Sequence, residues 1–273
     1  MNHRPLLLSA TLGVCLVAGL AWWPTDARAE ELGQLGVYAA ASLREVFTKL
    51  SSDFVVDHMG TEAGVKFAGS QELRILIEQG ATPDVVATAD EKQMNALLAK
   101  KLVQPPVVFA RNELVLVVPA ANPAMVTTFA DLPKAKHLAL GAPESPIGAY
   151  SDQVLVAAEQ TLGKGFRKKV LGKVRSREPS ARQVLNKVMS GEADAGIVYK
   201  TDALYAEDHV LIVPLPADIH IVANYLIAVA TSAPNPKLAR AWVAMMLAKD
   251  GQNALATAGF ARVSPPKPSA KQP

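Results

Sequence analysis

The 273-residue chain has a single cysteine, Cys15, which lies inside an apolar N-terminal segment. A disulfide needs two cysteines and a thiolate metal site needs several, so the sequence excludes both kinds of site within one chain. Removal of the N-terminal segment would exclude a cysteine nucleophile as well. The folded part of the protein must therefore be stabilised by its hydrophobic core and not by cross-links.

Aromatic residues and net charge are also scarce. Aromatics make up 5% of the chain, and two of the three tryptophans, Trp22 and Trp23, belong to the N-terminal segment. Such a composition argues against an aromatic stacking platform for bases or sugars. Without Arg4, Asp26 and Arg28, which also belong to that segment, 26 basic residues face 24 acidic ones. This near-neutral balance gives no reason to expect a nucleic-acid partner.

The usual catalytic signatures are missing. The sequence has no GxSxG elbow, no GxxxxGK[ST] loop and no GxGxxG fingerprint, so nucleophilic hydrolysis, nucleotide use and dinucleotide binding lose their usual signals. The five histidines do not form a metal-binding pair at any familiar spacing; they are His3, His58, His137, His209 and His220. We therefore expect a protein that is not an enzyme and that carries no cofactor and no directly bound metal cation.

Residues 1–29 are typical of a secretion signal. A basic start precedes an apolar run from Pro5 to Trp23, and Ala27-Arg28-Ala29 has the small-x-small form of a cleavage site. The sequence thus predicts an exported protein that begins near Glu30 and resides in the periplasm. An uncleaved membrane anchor is the alternative, because the apolar run approaches spanning length.

Beyond the signal, short apolar runs alternate with amphipathic stretches. Three strand-helix pairs follow one another between 36 and 102, and a second series begins with ELVLVVP at 113–119 and includes HLALG at 137–141 and AGIVY at 195–199. This alternation predicts a parallel α/β sheet, and its restart suggests a second lobe. The last amphipathic stretch, 236–259, predicts one or two helices, and the proline-rich, lysine-rich tail 262–273 predicts disorder.

One basic run stands out at 164–177, KGFRKKVLGKVRSR, with seven lysines and arginines and no acid. A solvated helix face or loop is the ordinary interpretation of such a run, and contact with an anion or a partner is the alternative.

Four predicted helix starts are built alike. Ser42-Leu43-Arg44-Glu45 fits a capping box, in which Glu45 holds the backbone N–H of Ser42. The second start is Gly69-Ser70-Gln71-Glu72, and Gly80 is the predicted end of its helix. The third is Pro146-Ile147-Gly148-Ala149, which precedes a helix from about Gly148 to Leu162. The fourth is Ser180-Ala181-Arg182-Gln183. Helix starts present unpaired N–H groups at the carboxyl ends of strands, so several aimed at one cleft would form an anion site. Taken singly, Ser42 and Ser70 fit plain helix caps, and Tyr199 fits a structural tyrosine.

The chain resembles the periplasmic molybdate-binding proteins of bacterial ABC uptake systems. The resemblance extends through the mature chain to about Ala261, and its most specific stretches are FAGSQELRILIEQGATPDV and GEADAGIVYKTDA. It implies a two-lobed fold of the type II periplasmic binding-protein class, with a ligand cleft between two mainly parallel sheets flanked by helices. The implied lobes are 30–112 with 222–261, and 113–221, so the chain crosses between them near 109–114 and near 220–225.

The family binds a tetrahedral oxyanion with serine hydroxyls, backbone N–H groups and a tyrosine hydroxyl. Carried over position by position, the ligand-binding residues are Ser42, Ser70, Ile147, Ala181 and Tyr199. The resemblance implies a monomeric receptor that captures molybdate, and tungstate as well, and delivers it to an ABC transporter permease.

Two alternatives stay open. The first is a receptor of the same class for another oxyanion, because Ile147 stands where the family often has alanine and Ala181 where it often has valine. The other is an extracytoplasmic hydrolase that uses Ser42 or Ser70 as its nucleophile, which would need a base beside the serine.

Overall fold

The computed structural model describes residues 33–219 and 221–263. The predicted signal peptide 1–29, with Cys15 and His3, lies outside the described residues, as do His220 and positions 264–273 of the predicted tail. Within the described ranges, no helix combines the length and the apolar character needed to cross a membrane.

Strands and helices alternate along the described chain. The strands are β1 (Gly33–Ala40), β2 (Thr61–Ala68), β3 (Val85–Thr88), β4 (Val107–Pro119), β5 (Leu138–Gly141), β6 (Val174–Glu178), β7 (Ala195–Tyr199), β8 (Val210–Val213) and β9 (Val222–Val229). The α-helices are α1 (Arg44–Asp57), α2 (Ser70–Glu78), α3 (Glu91–Ala99), α4 (Pro146–Leu162), α5 (Phe166–Leu171), α6 (Ala181–Met189), α7 (Lys200–Tyr205), α8 (Pro236–Leu247) and α9 (Lys249–Thr257). Two 3-10 turns cover Ala41–Leu43 and Phe129–Lys134.

The strands form one mixed sheet in the order β2-β1-β3-β9-β4-β7-β5-β6, with β8 also paired to β4. The pairs β1–β2, β1–β3, β5–β6 and β5–β7 are parallel, whereas β9 is antiparallel to β3 and β4, and β4 is antiparallel to β7 and β8. The α/β class that the sequence predicts is therefore confirmed. The antiparallel strands occur where the chain passes from one half of the sheet to the other.

Strand β4 joins the two halves. Its residues Val107 to Glu113 pair with β9, and its residues from Leu114 onward pair with β7 and β8. We call β1, β2, β3, β9 and the first part of β4 the first half of the sheet, and the rest the second half. The chain leaves the first half within β4 and returns to it between β8 and β9.

The core of the first half is built around Trp242 of α8, which is fully buried. The rings of Phe47 and Phe54, from one face of α1, pack edge-on against it at centroid distances of 5.5 and 5.4 Å. These two phenylalanines lie seven residues apart, a spacing that brings side chains onto one face of a helix. This packing holds α1 against α8.

Some elements differ from their predicted form. The basic run 164–177 contains a helix anchored by buried Phe166 and Val170, and also the edge strand β6, which the sequence did not predict. Helix α4 begins at Pro146, so Ile147 lies inside its first turn and not before it. In the predicted tail, Val263 is buried and its N–H donates to Gln252 Oε1.

Candidate functional site

The five residues predicted to bind a ligand line one cavity. It lies at the carboxyl ends of β1, β2, β5, β6 and β7, and both halves of the sheet contribute to it. Its volume is about 20 Å³, somewhat more than the roughly 10–15 Å³ that one water needs. In this conformation the cavity has room for a species of a few atoms and not for a sugar or a peptide. Its lining residues are Ala40, Ala41, Ser42, Ala68, Gly69, Ser70, Ala89, Pro146, Ile147, Pro179, Ser180, Ala181 and Tyr199.

The lining residues that the structure describes include no charged side chain. Polar groups reach the cavity as hydroxyls and as backbone N–H groups in the first turns of helices. The N–H groups of a first turn have no acceptor within their own helix, and the helix dipole adds positive potential there. The cavity is thus an uncharged site rich in hydrogen-bond donors, which suits an anion.

Ser42 lies in the 3-10 turn Ala41–Leu43 and is 5% exposed. It does not cap α1, and the predicted capping box is wrong: Ser42 Oγ lies 2.8 Å from the hydroxyl of Tyr225. The Glu45 carboxylate turns to Arg182 instead of the Ser42 backbone. The turn places Ser42 two residues before the first residue of α1, Arg44, and no side chain among the described residues caps the start of that helix.

Ser70 is the first residue of α2 and is almost fully buried. Its Oγ accepts the N–H of Ala89, at 3.1 Å, so its own hydrogen is free to donate into the cavity. The predicted helix start at Gly69 is confirmed, with Glu72 Oε2 accepting the Gly69 N–H at 2.8 Å. The helix ends at Glu78, close to the predicted stop at Gly80.

The second half of the sheet contributes two helix starts. At α4, Ser145 Oγ accepts the N–H of Gly148 at 3.2 Å, and Pro146 is the first helical residue. At α6, Ser180 Oγ accepts the N–H of Gln183 at 3.3 Å, which is the serine half of the predicted box. Ser145 was missed by sequence reasoning, although serine followed by proline is a known helix-start signal.

The side chain of Ile147 packs against the β5 backbone. Its Cγ2 lies 2.6 Å from the place that a Cβ on Gly141 would occupy, and Ile147 is 1% exposed. Ala181 is 3% exposed and opens α6. Both residues therefore sit in the first helical turns, where the backbone N–H is the polar group they offer.

Tyr199 ends β7, and its buried hydroxyl has no hydrogen-bond partner among the described residues. Burial raises the pKa of Tyr199 well above its ordinary value, so the hydroxyl stays protonated. A buried donor without a partner costs free energy unless something in the cavity accepts its hydrogen bond. Tyr199 is thus the residue whose geometry points most directly to a ligand.

The two halves of the sheet are bridged beside the cavity. Gln71 Nε2 donates to the carbonyl of Pro179 at 2.8 Å, and the Arg182 guanidinium binds Glu45 through two hydrogen bonds of 2.7 and 2.8 Å. Arg182 Nε also lies 3.0 Å from Oδ1 of the fully buried Asp202. Sequence reasoning missed the two bridges because their partners lie 108 and 137 residues apart.

Comparisons with known proteins identify the family of this chain. The family model described as bacterial extracellular solute-binding protein matches residues 35–261. The molybdate-binding protein ModA of Mycobacterium tuberculosis (strain ATCC 25618 / H37Rv) is 38% identical over 228 residues, 83% of this chain and 84% of that protein. The molybdate-binding protein ModA of Escherichia coli (strain K12) is 30% identical over 213 residues, 75% of this chain and 79% of that protein.

A solved structure shares the fold. The periplasmic molybdate-binding protein of Azotobacter vinelandii superposes with a TM-score of 0.73 at 21% identity, covering 84% of this chain and 100% of that one. The match supports the two-lobed α/β architecture that the sequence predicts. The chain belongs to the bacterial extracellular solute-binding protein family.

Proposed function

We propose that this protein is a receptor that captures molybdate, and tungstate as well, and delivers it to the permease of an ABC transporter. One observation carries the proposal: hydroxyls and first-turn N–H groups from both halves of the sheet converge on one small uncharged cavity. The ligand-binding residues are Ser42, Ser70 and Tyr199 through their hydroxyls, and Ile147 and Ala181 through their backbone N–H groups. The relatives named molybdate-binding proteins support the choice of anion.

Neutral donors suit a receptor that has to release its cargo. A fixed ion pair with a lysine or arginine would hold the anion whether the protein is open or closed, whereas donors on two lobes lose their common focus when the lobes separate. We assign residues 30–112 and 222–261 to one lobe and 113–221 to the other. The strand β4 and the return between β8 and β9 would then form the hinge.

The donor geometry also offers selectivity. A cavity set for the longer metal–oxygen bonds of molybdate or tungstate leaves sulfate with stretched, weaker hydrogen bonds. A protonated phosphate would in addition find no acceptor for its own hydrogen in a ring of donors.

Export and a monomeric state complete the proposal. The family is described as extracellular, and we infer that residues 1–29 direct the chain to the periplasm and are cleaved near Ala29. The protein binds its anion without a cofactor and acts on no covalent bond.

A retuned receptor for another oxyanion is the second candidate, because Ile147 and Ala181 differ from the commonest family residues. Both residues offer backbone N–H groups, so the exchange reshapes the wall and keeps the donors. The hydrolase alternative is not supported: among the described residues, neither Ser42 nor Ser70 has a histidine or carboxylate as a hydrogen-bond partner.

Thermal unfolding with a panel of anions tests the proposal. The purified protein is melted with molybdate, tungstate, sulfate, phosphate and chromate, since a ligand at 100 times its dissociation constant adds about 2.7 kcal/mol to the free energy of unfolding. We expect a rise in melting temperature with molybdate and tungstate alone. A rise with another anion alone would support the retuned receptor, and no rise with any anion would refute both.

A further inference from the structure

Ser42, one of the proposed anion ligands, forms a hydrogen bond with Tyr225 of β9. The two hydroxyl oxygens are 2.8 Å apart, and both residues are buried. Either oxygen can donate in such a pair. The direction of this hydrogen bond decides whether the hydrogen of Ser42 is available to a ligand.

The surroundings of Tyr225 set that direction. Asn112 Nδ2 lies 3.4 Å from the Tyr225 hydroxyl and donates to Thr201 Oγ1 at 2.9 Å. An amide nitrogen can only donate, so the Tyr225 oxygen is the acceptor on that side. With that side taken, donation to Ser42 Oγ would give the Tyr225 hydrogen an acceptor and would leave the Ser42 hydrogen for the cavity.

The position of the Tyr225 hydroxyl is fixed by aromatic packing. Its ring lies edge-on between Tyr199, at a centroid distance of 5.6 Å, and Phe260, at 5.3 Å. Tyr225 is fully buried. A ring held on both sides leaves its hydroxyl little freedom to follow a moving partner, so Ser42 adapts to Tyr225 and not the reverse.

We propose that Tyr225 is a positioning residue of the anion site, which donates to Ser42 Oγ and thereby presents the Ser42 hydrogen to the bound oxyanion. This inference rests on the proposed function. Ser70 is arranged in a similar way, because its Oγ accepts a hydrogen bond from the Ala89 N–H. In both cases a hydrogen bond accepted by the serine oxygen leaves the serine hydrogen for the ligand.

The residues behind Ser42 also tie the site to the strands that join the two halves of the sheet. Asn112 lies on β4 two residues before its pairing changes from β9 to β7, and Tyr225 lies on β9. Thr201 belongs to α7 of the second half. The hydrogen-bonded chain therefore runs from the cavity into the proposed hinge.

A double-mutant cycle on molybdate affinity, measured by titration calorimetry, tests the role. Tyr225→Phe keeps the ring and removes the hydroxyl, and we expect it to weaken molybdate binding roughly three- to tenfold, the worth of one oriented hydrogen bond. Ser42→Ala should weaken binding more. In the Ser42→Ala background, Tyr225→Phe should have less than about a twofold further effect, because its target is gone.

Tyr150→Phe is the matched control. Tyr150 is buried and belongs to the same cluster of edge-on tyrosine rings, with its ring centroid 6.5 Å from that of Tyr199, but it does not line the cavity. We expect its effect on affinity to stay below about twofold and to add to that of Ser42→Ala. Additive effects of Tyr225→Phe and Ser42→Ala would overturn the positioning role and leave Tyr225 as a packing residue.

Two further results keep the test decisive. Tighter binding in Tyr225→Phe would show that Ser42 donates to Tyr225 in the native protein, which contradicts the proposal. If Tyr225→Phe does not fold, as judged by circular dichroism, Asn112→Ala replaces it in the same cycle, and additivity with Ser42→Ala would again overturn the role. Failure of the native protein to bind molybdate would refute the proposed function, whereas failure of the cycle alone would refute only the role of Tyr225.

Discussion

Glu45 of α1 and Arg182 of α6 form a two-point ion pair that joins the two halves of the sheet beside the cavity. The arginine is held in place within its own half by Asp202 and by the ring of Tyr205, 4.4 Å from its guanidinium carbon. Ala181, a proposed ligand residue, immediately precedes it. In the closing motion proposed for the receptor, Glu45 would meet an arginine that is already oriented.

We predict that Glu45→Gln weakens molybdate binding about three- to tenfold, because in the proposed receptor this partly exposed ion pair would form only when the two halves meet. The loss should shrink at high salt, since salt already weakens the pair in the native protein. Calorimetric titration at two ionic strengths measures both effects. Asp53→Asn is the control, because it removes an exposed ion pair with Lys49 within α1, and neither residue lines the cavity. Equal losses in the two variants would contradict the closing role.

The double variant Ser42→Ala, Ser70→Ala should lose roughly a hundredfold or more in molybdate affinity, since each hydroxyl donates to a charged ligand. Its melting temperature without ligand should fall by only a few degrees. Ser42 caps no helix, and the structural losses are the hydrogen-bond partners of the Tyr225 hydroxyl and of the Ala89 N–H, worth about 1 kcal/mol each. Calorimetry and thermal unfolding of the same preparations separate the two effects. A large loss of stability with unchanged affinity would return both serines to a structural role.

Asp90 should make anion binding depend on pH. Burial raises the pKa of Asp90 to about 6, and its charge contributes to the raised pKa of the cavity residue Tyr199. A bound anion disfavours the charged carboxylate, so binding should be tighter at pH 5.5, where Asp90 is mostly neutral, than at pH 7.5.

Asp90→Asn tests this dependence, because asparagine keeps the cap that Asp90 Oδ1 provides to the Gln93 N–H. We expect the affinity at pH 7.5 to rise about threefold, and the difference in affinity between pH 5.5 and pH 7.5 to become smaller than in the native protein. Asp131→Asn is the control: Lys134 lowers the pKa of Asp131, so this group does not titrate in that range. An unchanged pH profile in Asp90→Asn would remove Asp90 from the electrostatics of the site.

Gly148→Ala should damage both stability and binding. A Cβ at this position would stand 1.9 Å from the carbonyl oxygen of Ala142, so the start of α4 would have to move away from β5 and carry the Ile147 N–H with it. We expect a loss of about 1–3 kcal/mol in the free energy of unfolding and weaker molybdate binding.

Gly64→Ala provides the matched comparison, because a Cβ there meets no atom within 4 Å. The free energy of unfolding, from urea denaturation, should change by no more than about 0.5 kcal/mol in this variant. If the Gly148→Ala variant were as stable as the Gly64→Ala variant, the close approach of Gly148 to the Ala142 carbonyl would not matter for stability.

Much of the fold could be predicted from local pattern. The strand-helix alternation, the starts of α2 and α6 and the strand that ends at Tyr199 depend on apolar periodicity and on residues such as Gly69 and Ser180 that act within a few positions. Edge strand β6 was missed because its alternating arginines disguise a strand with little buried surface. The start of α4 was placed two residues late, because the capping serine before Pro146 was overlooked.

The sequence by itself determined which hydroxyls and helix starts could serve an anion, because capping and strand ends are local properties. Only the tertiary structure decided how each group is used. Glu45 and Ser42 have the spacing of a capping box, yet Ser42 lies in a 3-10 turn. Each side chain finds its partner on a distant segment, Glu45 on Arg182 and Ser42 on Tyr225. Such pairings depend on how the two halves of the sheet fold together, and no local pattern encodes them.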